Sequence, residues 1–190
     1  MFGKNVDIKI WSQYVGYQSP KTTITDDIQT LEFVNESNNE DPFFAHDGDS
    51  GFDLRAWIKE DEDGAKIDKE TGLPTITLKP LERRMIHTGL YFKLPHFTEI
   101  QCRPRSGCSY KDGLTVINSP GTVDELYRGE LCVLVVNLSD KKITIKSGER
   151  IAQAVLCPVY NSYLTNLVKT ESIKDDTERG SNGFGSTGKN

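Results

Sequence analysis

The chain has little of what marks nucleic-acid binders, membrane proteins or disulfide-stapled secreted domains. Its 23 Lys and Arg are outnumbered by 28 Asp and Glu, for a net charge of -5. That balance excludes the broad basic footprint on which nucleic-acid binding rests. No apolar run approaches the roughly 20 residues of a membrane span; LCVLVV, Leu131–Val136, falls far short. The four cysteines form no CxxC pair, which argues against a zinc knuckle or a redox dithiol. Cys102, Cys132 and Cys157 lie in apolar, strand-like runs and are expected to be buried free thiols rather than zinc ligands or disulfides. A reducing, cytoplasmic setting fits that usage. The opening MFGKNVDIKIW has no apolar core of the kind a secretory signal needs. Helical periodicity is also missing over any long stretch.

What is present is strand. With 190 residues, 36% hydrophobic and 27% charged, the chain is expected to form one soluble domain with a real core. VDIKIW (6–11), FDLRAWI (52–58) and TITLKPL (75–81) alternate with period two. Further apolar runs are MIHTGLYFKL (85–94), TEIQCR (98–103), LTVIN (114–118), ELCVLVVNL (130–138), ITI (143–145) and RIAQAVLCPVY (150–160). Turn residues separate them at short intervals, the pattern of an all-β sandwich or barrel. One short helical turn is expected at SGCSYKDG, from Ser106 to Gly113. Leu131–Leu138 is apolar on both alternating faces. A strand of a small antiparallel domain usually has one wet face, so one face is assigned to the core and the other to a subunit contact. Two stretches read as solvated insertions: polar, irregular 18–50, where Phe43 and Phe44 supply an apolar pin, and the charged tip 59–74. The second has Ala65 where a calcium loop needs an oxygen ligand.

Chemistry concentrates in NSPGTVDELYRGE, Asn118–Glu130. Turn formers lead to a carboxylate, an aromatic and an arginine, and then directly to the apolar run. A tight hairpin or corner of this kind holds polar groups at the edge of a rigid strand, where positioning is accurate. Asp124 is a candidate general base and Tyr127 a candidate platform for a flat ligand. The tail, RGSNGFGSTGKN from Arg179, literally contains GxGxxG and most of a phosphate-loop pattern. Both are rejected, because each needs a strand before and a helix after, and no βαβ unit surrounds this one. A flap that orders on a ligand fits better: glycine amides, Ser186, Thr187 and Arg179 suit phosphate oxygens and Phe184 suits a base.

These segments together resemble the homotrimeric deoxyuridine triphosphatases (dUTPases), which carry five short motifs in fixed order. SGFDLRA (50–56), PRSGCS (104–109), NSPGTVDELYRGE (118–130), GERIAQAV (148–155) and RGSNGFGSTG (179–188) correspond to the five. Ser50 and Phe52 depart mildly from the usual residues, and the family explains neither insertion. The resemblance implies a distorted jelly-roll or β-barrel of the dUTPase type over residues 1–170, with a flexible arm, 171–190, closing the active site. It implies that Asp124 deprotonates the water attacking the α-phosphorus of dUTP, giving dUMP and pyrophosphate. It places Tyr127 under the deoxyribose, Asn118 with the backbone of Gly121 and Val123 at the uracil edge, and Arg105, Ser106, Gly107 and Gln153 along the triphosphate. Phe184 would cover the uracil, and Arg179, Gly185, Ser186 and Thr187 the γ-phosphate. Mg²⁺ is implied as cofactor, with Asp53 near it through water, and each site is implied to draw on three subunits.

The residues agree with that chemistry independently. Hydrolysis between α- and β-phosphates needs a base, an aligned water and charge neutralisation, and no covalent intermediate. Ser106 is a poor nucleophile, since no motif links His46, His87 or His96 to it. The nearest rival of the same fold is dCTP deaminase, whose catalytic Glu falls ten residues after the Asp; here that position is Leu134, which moves no proton. A dUTP-binding regulator is the rival of a different class, and the 18–50 insertion is where a partner would bind.

Overall fold

A computed structural model describes residues 29–183. The expected strand at 6–11 and the first part of the 18–50 insertion lie outside them. The described chain is almost wholly β, arranged as a jelly-roll-type domain of four small antiparallel sheets. In chain order the strands are β1 (Glu32–Asn35), β2 (Phe52–Arg55), β3 (Lys66–Ile67), β4 (Pro74–Leu78), β5 (Arg83–Ile86) and β6 (Leu90–Lys93). They continue as β7 (Thr98–Pro104), β8 (Leu114–Val116), β9 (Gly121–Val123), β10 (Val133–Asn137), β11 (Ile143–Lys146) and β12 (Arg150–Pro158). The sheets run β1-β6, β5-β10-β8, β11-β4-β3 and β2-β12-β7-β9. Their inward faces meet in one core, with Leu54, Leu78, Ile86, Ile100, Leu131, Val133, Val135, Ile145 and Ile151 all but sealed from solvent. Each such side chain contributes about 1.5–3 kcal/mol relative to exposure.

One wide helical turn, Cys108–Asp112, follows β7 and is closed by Gly113 in the left-handed conformation, φ 75°, as SGCSYKDG foretells. The 59–74 tip is a hairpin between β3 and β4. Asp68 caps its turn by accepting from the Glu70 and Thr71 amides and the Thr71 hydroxyl. Thr71, with Lys146 at 3.3 Å, pulls the Asp68 carboxyl down to about 2.

Three expectations need correction. The 85–94 run is not one strand. It breaks at His87-Thr88-Gly89, where Gly89 takes φ 71° against Ser37 and the Thr88 and Gly89 amides donate to the Glu130 carboxylate instead of a strand. Residues 29–50 are not a free loop. Strand β1 pairs with β6, with Phe33 against Phe92, and the turn beyond is tied down by Asn35, Ser37 and Asn39, whose amide donates to the Ala56 carbonyl. Phe44 does pin the segment, edge-on to Phe52 at 5.9 Å between ring centres. All four cysteines are free, but Cys102 alone is buried; Cys108, Cys132 and Cys157 are half-buried. Apolar neighbours in sequence do not decide which face of a strand a thiol takes.

Leu131–Leu138 presents two different faces. Leu131, Val133 and Val135 enter the core, and Val136 is buried too. Leu134 and Leu138 are 38% and 61% exposed, and Met85, paired with Leu134 across β5, is 49% exposed. The second face is therefore not dry within one chain. It is an apolar surface open to another body. Among the described residues no helix is long and apolar enough to cross a membrane.

Candidate active site

An open cleft of about 340 Å³ lies where β2, β7 and β12 run side by side. Asp53 from β2, Arg105, Ser106 and Gly107 after β7, and Arg150 and Gln153 from β12 line one wall; Glu40–Phe43, Ala45 and Asp49 line the other. Three of the five motifs thus converge because their strands are hydrogen-bonded neighbours. Close approach is built in at Gly51. A Cβ there would stand 2.7 Å from the Ala154 carbonyl oxygen and 2.9 Å from a Val155 methyl.

Asp53 is the electrostatic centre. Its two carboxylate oxygens are taken separately, Oδ1 by Arg105 Nε at 2.7 Å and Oδ2 by Arg150 Nη1 at 3.1 Å. The guanidinium of Arg105 also donates to the Arg150 carbonyl at 3.4 Å. Gln153 donates to the Pro104 carbonyl at 2.9 Å. Two arginines held on one carboxylate are presented as a fixed pair of donors, the arrangement that recognises phosphate oxygens. At Gly107 a Cβ would meet nothing within 4 Å, so packing within this chain does not demand a glycine there. The bare backbone leaves that wall open to a ligand. Arg55 is drawn away by Glu40 at 3.1 Å.

Arg150 is the cleft residue that the motif reading missed. It stands three residues before Gln153, and on a regular strand the two would face opposite ways. The β12–β2 register shifts between Arg150 and Ala152, and this bulge turns Arg150 onto the Gln153 side. No signal of period two could reveal it.

The third motif lies elsewhere. Asn118–Pro120 is a corner, not a hairpin: β8 before it pairs with β10, and β9 after it pairs with β7. The Asn118 amide rests over Gly121, 3.0 Å from where a Cβ would be. Gly121 and Val123 sit opposite Cys102 and Ile100. Continuing that register sets Asp124 beside Glu99, six positions from Arg105, or about 20 Å along the strand. Asp124 is exposed and lines no part of the cleft. Tyr127 is 48% exposed, and its hydroxyl donates to the Glu130 carbonyl at 3.1 Å. Its ring folds over Gly129, where any Cβ would collide with it. Next to Asp124, Glu125 is buried. It accepts from the Phe97 amide at 2.9 Å, from Asn161 Nδ2 at 2.8 Å and pairs with His96 Nδ1 at 2.7 Å. Those contacts, the Phe97 amide foremost, hold its carboxyl below the usual range.

The arm leaves the barrel after β12. Tyr160, Leu167, Val168 and Ile173 along it are strongly exposed. Among the described residues, the Arg179 side chain donates to the Asn182 carbonyl at 3.3 Å. Phe184, Gly185, Ser186 and Thr187 lie outside the described residues.

A jelly-roll-type β domain with an arginine-lined cleft, a carboxylate at a strand-edge corner and a long arm has the parts of a nucleotide-polyphosphate hydrolase. The sequence model of the dUTPase family matches residues 73–188. A deoxyuridine 5'-triphosphate nucleotidohydrolase of Cytophaga hutchinsonii is 45% identical over 160 residues, covering 84% of this chain and 92% of that one. One of Clostridium novyi is 43% identical over 163 residues, covering 83% and 99%. Among solved structures, the dUTPase of Staphylococcus bacteriophage 80alpha with dUPNHPP aligns with a TM-score of 0.68 at 25% identity, covering 85% of this chain and 99% of that one. The chain belongs to the dUTPase family.

Proposed function

We propose that the protein hydrolyses dUTP to dUMP and pyrophosphate in a site assembled from more than one chain, with Asp124 as the base. The observation that carries this reading is the separation of the two halves. Asp53, Arg105, Arg150 and Gln153 share one cleft, whereas Asp124 and Tyr127 face outward about 20 Å away by strand spacing. A second copy would bring its corner to the first copy's cleft. The exposed apolar surface around Leu134 and Met85 and the uncovered side chains of the arm supply contacts for a trimer.

In the assembled site Arg105 and Arg150 hold phosphate oxygens, and the bare backbone at Gly107 admits them closely. Asp124 accepts the proton of the attacking water in line with the α-phosphorus. Tyr127 packs its ring under the deoxyribose and leaves no space for a 2′-hydroxyl. Asn118 and the β9 backbone meet the uracil edge. A wrong base leaves those polar groups unpaired, at about 1–3 kcal/mol each. The arm, with Arg179 and residues 184–187, closes over the nucleotide.

Both carboxylate oxygens of Asp53 are already occupied by arginines, which suits contact with Mg²⁺ through water rather than direct ligation. When bound, Mg²⁺ supplies further neutralisation of phosphate charge. Leu134 lies on β10 with its side chain part-exposed and carries no proton, so deamination is not supported.

Mixing two inactive variants tests the shared site. Asp124→Asn and Arg105→Ala chains, dissociated and reassembled together, are expected to regain dUTP hydrolysis, because some sites then combine an intact corner with an intact cleft. No recovery in verified mixed oligomers would place both halves in one chain. Product analysis accompanies it: pyrophosphate and dUMP from dUTP are expected, with no turnover of dCTP, dTTP or UTP. Ammonia from dCTP would overturn the assignment.

A further inference from the structure

A second concentration of reactive side chains lies away from the cleft, at the break between β5 and β6. Strand β10 pairs with β5 so that Val133 faces Ile86, and the next position along sets Cys132 beside His87. Glu130, two residues earlier, reaches the same spot. Its Oε1 accepts from the Thr88 amide at 3.0 Å and the Gly89 amide at 2.8 Å. Its Oε2 meets His87 Nδ1 at 2.8 Å, and Cys132 Sγ lies 3.6 Å from the same nitrogen. The three ligand-type atoms all fall within 4.8 Å of one another.

The nitrogen–sulfur separation matches a particular class of ion. A tetrahedral zinc with bonds of about 2.05 Å to nitrogen and about 2.3 Å to sulfur separates those two ligands by about 3.6 Å. The backbone amides on Oε1 fix the Glu130 carboxylate, as outer-shell groups do around metal ligands, and leave Oε2 to face His87 Nδ1, whose hydrogen bond an entering ion would replace.

We propose that His87 Nδ1, Glu130 Oε2 and Cys132 Sγ form a zinc-class metal site. The nitrogen–sulfur ligand set suits a borderline ion and not Mg²⁺, so this site is separate from any metal that accompanies the nucleotide. Binding displaces the Cys132 thiol proton and the proton shared between His87 and Glu130. It ties the break before β6 to the start of β10. No CxxC spacing announces such a site, because its ligands meet across strands.

Full-length protein stripped with EDTA and titrated with Co²⁺ tests this. One equivalent per chain is expected to give a thiolate-to-cobalt charge-transfer band and intense visible bands, both bleached by Zn²⁺. Cys132→Ser should remove the charge-transfer band, whereas Cys157→Ser should keep it. His87→Gln should weaken Zn²⁺ binding by about a hundredfold or more. Absence of the band, or its survival in Cys132→Ser, would overturn the site. Should Cys132→Ser fail to fold, alkylation of the wild-type protein decides. Zn²⁺ is expected to protect Cys132 from iodoacetamide, read by peptide mass, and an unchanged rate would overturn the proposal.

Discussion

The cleft and the corner are built on opposite plans. In the cleft every charged group is already satisfied: Asp53 holds Arg105 and Arg150, Arg55 holds Glu40, and Gln153 holds the Pro104 carbonyl. In the corner the reactive groups are left outward, with Asp124 exposed and Tyr127 half-exposed, while support is buried behind them in Glu125 and Gly129. A pre-paired cleft is rigid and charge-balanced before a ligand arrives, which spares reorganisation during the reaction. On the proposed reading an outward corner is complete only against another surface, which gives such an enzyme a physical reason to assemble.

The sharpest way to break this contrast is to remove each half's key group. Asp124→Asn keeps the size and the corner but abolishes proton acceptance. Single-turnover assays should show a loss of about 10³-fold or more in kcat, with dUTP binding retained. Strong residual turnover would assign the base elsewhere. Arg150→Ala acts on the cleft, where Arg105 still pairs with Asp53. It should lower kcat/KM by about 10–100-fold, and an unchanged value would mean that Arg150 merely neutralises Asp53.

The two regions were also unequally legible in sequence. The corner could be read almost whole, because its groups follow one another along thirteen or so residues and turn chemistry is local. Asp124, Tyr127 and Gly121 stand as expected at a strand edge. The cleft was legible only as separate motifs. Asp53, Arg105 and Gln153 come from strands far apart in the chain, and pairing β2-β12-β7 brings them together. Arg150 was hidden by a bulge, and the split at Gly89 by a long-range contact with Glu130. Strand β1 was hidden because a short, half-exposed edge strand has too few alternating residues to show a period. The all-β class needed none of this, since period two repeats along most of the chain.

A smaller perturbation tests how the corner shapes specificity. Gly129→Ala adds one methyl where the Tyr127 ring lies, so the ring must swing off and lose its bond to the Glu130 carbonyl. Turnover chemistry at Asp124 is untouched in principle. KM for dUTP should rise about tenfold, equivalent to about 1.4 kcal/mol, and UTP should become a measurable substrate. If UTP remains refused, the ring of Tyr127 is not what excludes the 2′-hydroxyl.

The smallest effect concerns support rather than chemistry. Glu125 is buried next to Asp124 and joins the corner to Phe97, His96 and, through Asn161, the root of the arm. Its carboxyl is held below the usual range, so it binds protons more weakly folded than unfolded. The stability it contributes is therefore fully present above the ordinary glutamate range and drains away as pH falls through the lowered value. Glu125→Gln keeps the shape but not the charge. At pH 7 the variant should melt a few degrees below the parent, and the gap should narrow as pH falls below the ordinary glutamate range and close once the parent's own carboxyl is protonated. A gap that persists in acid would mean that Glu125 acts by shape alone and that the ionised group is not what fastens the corner.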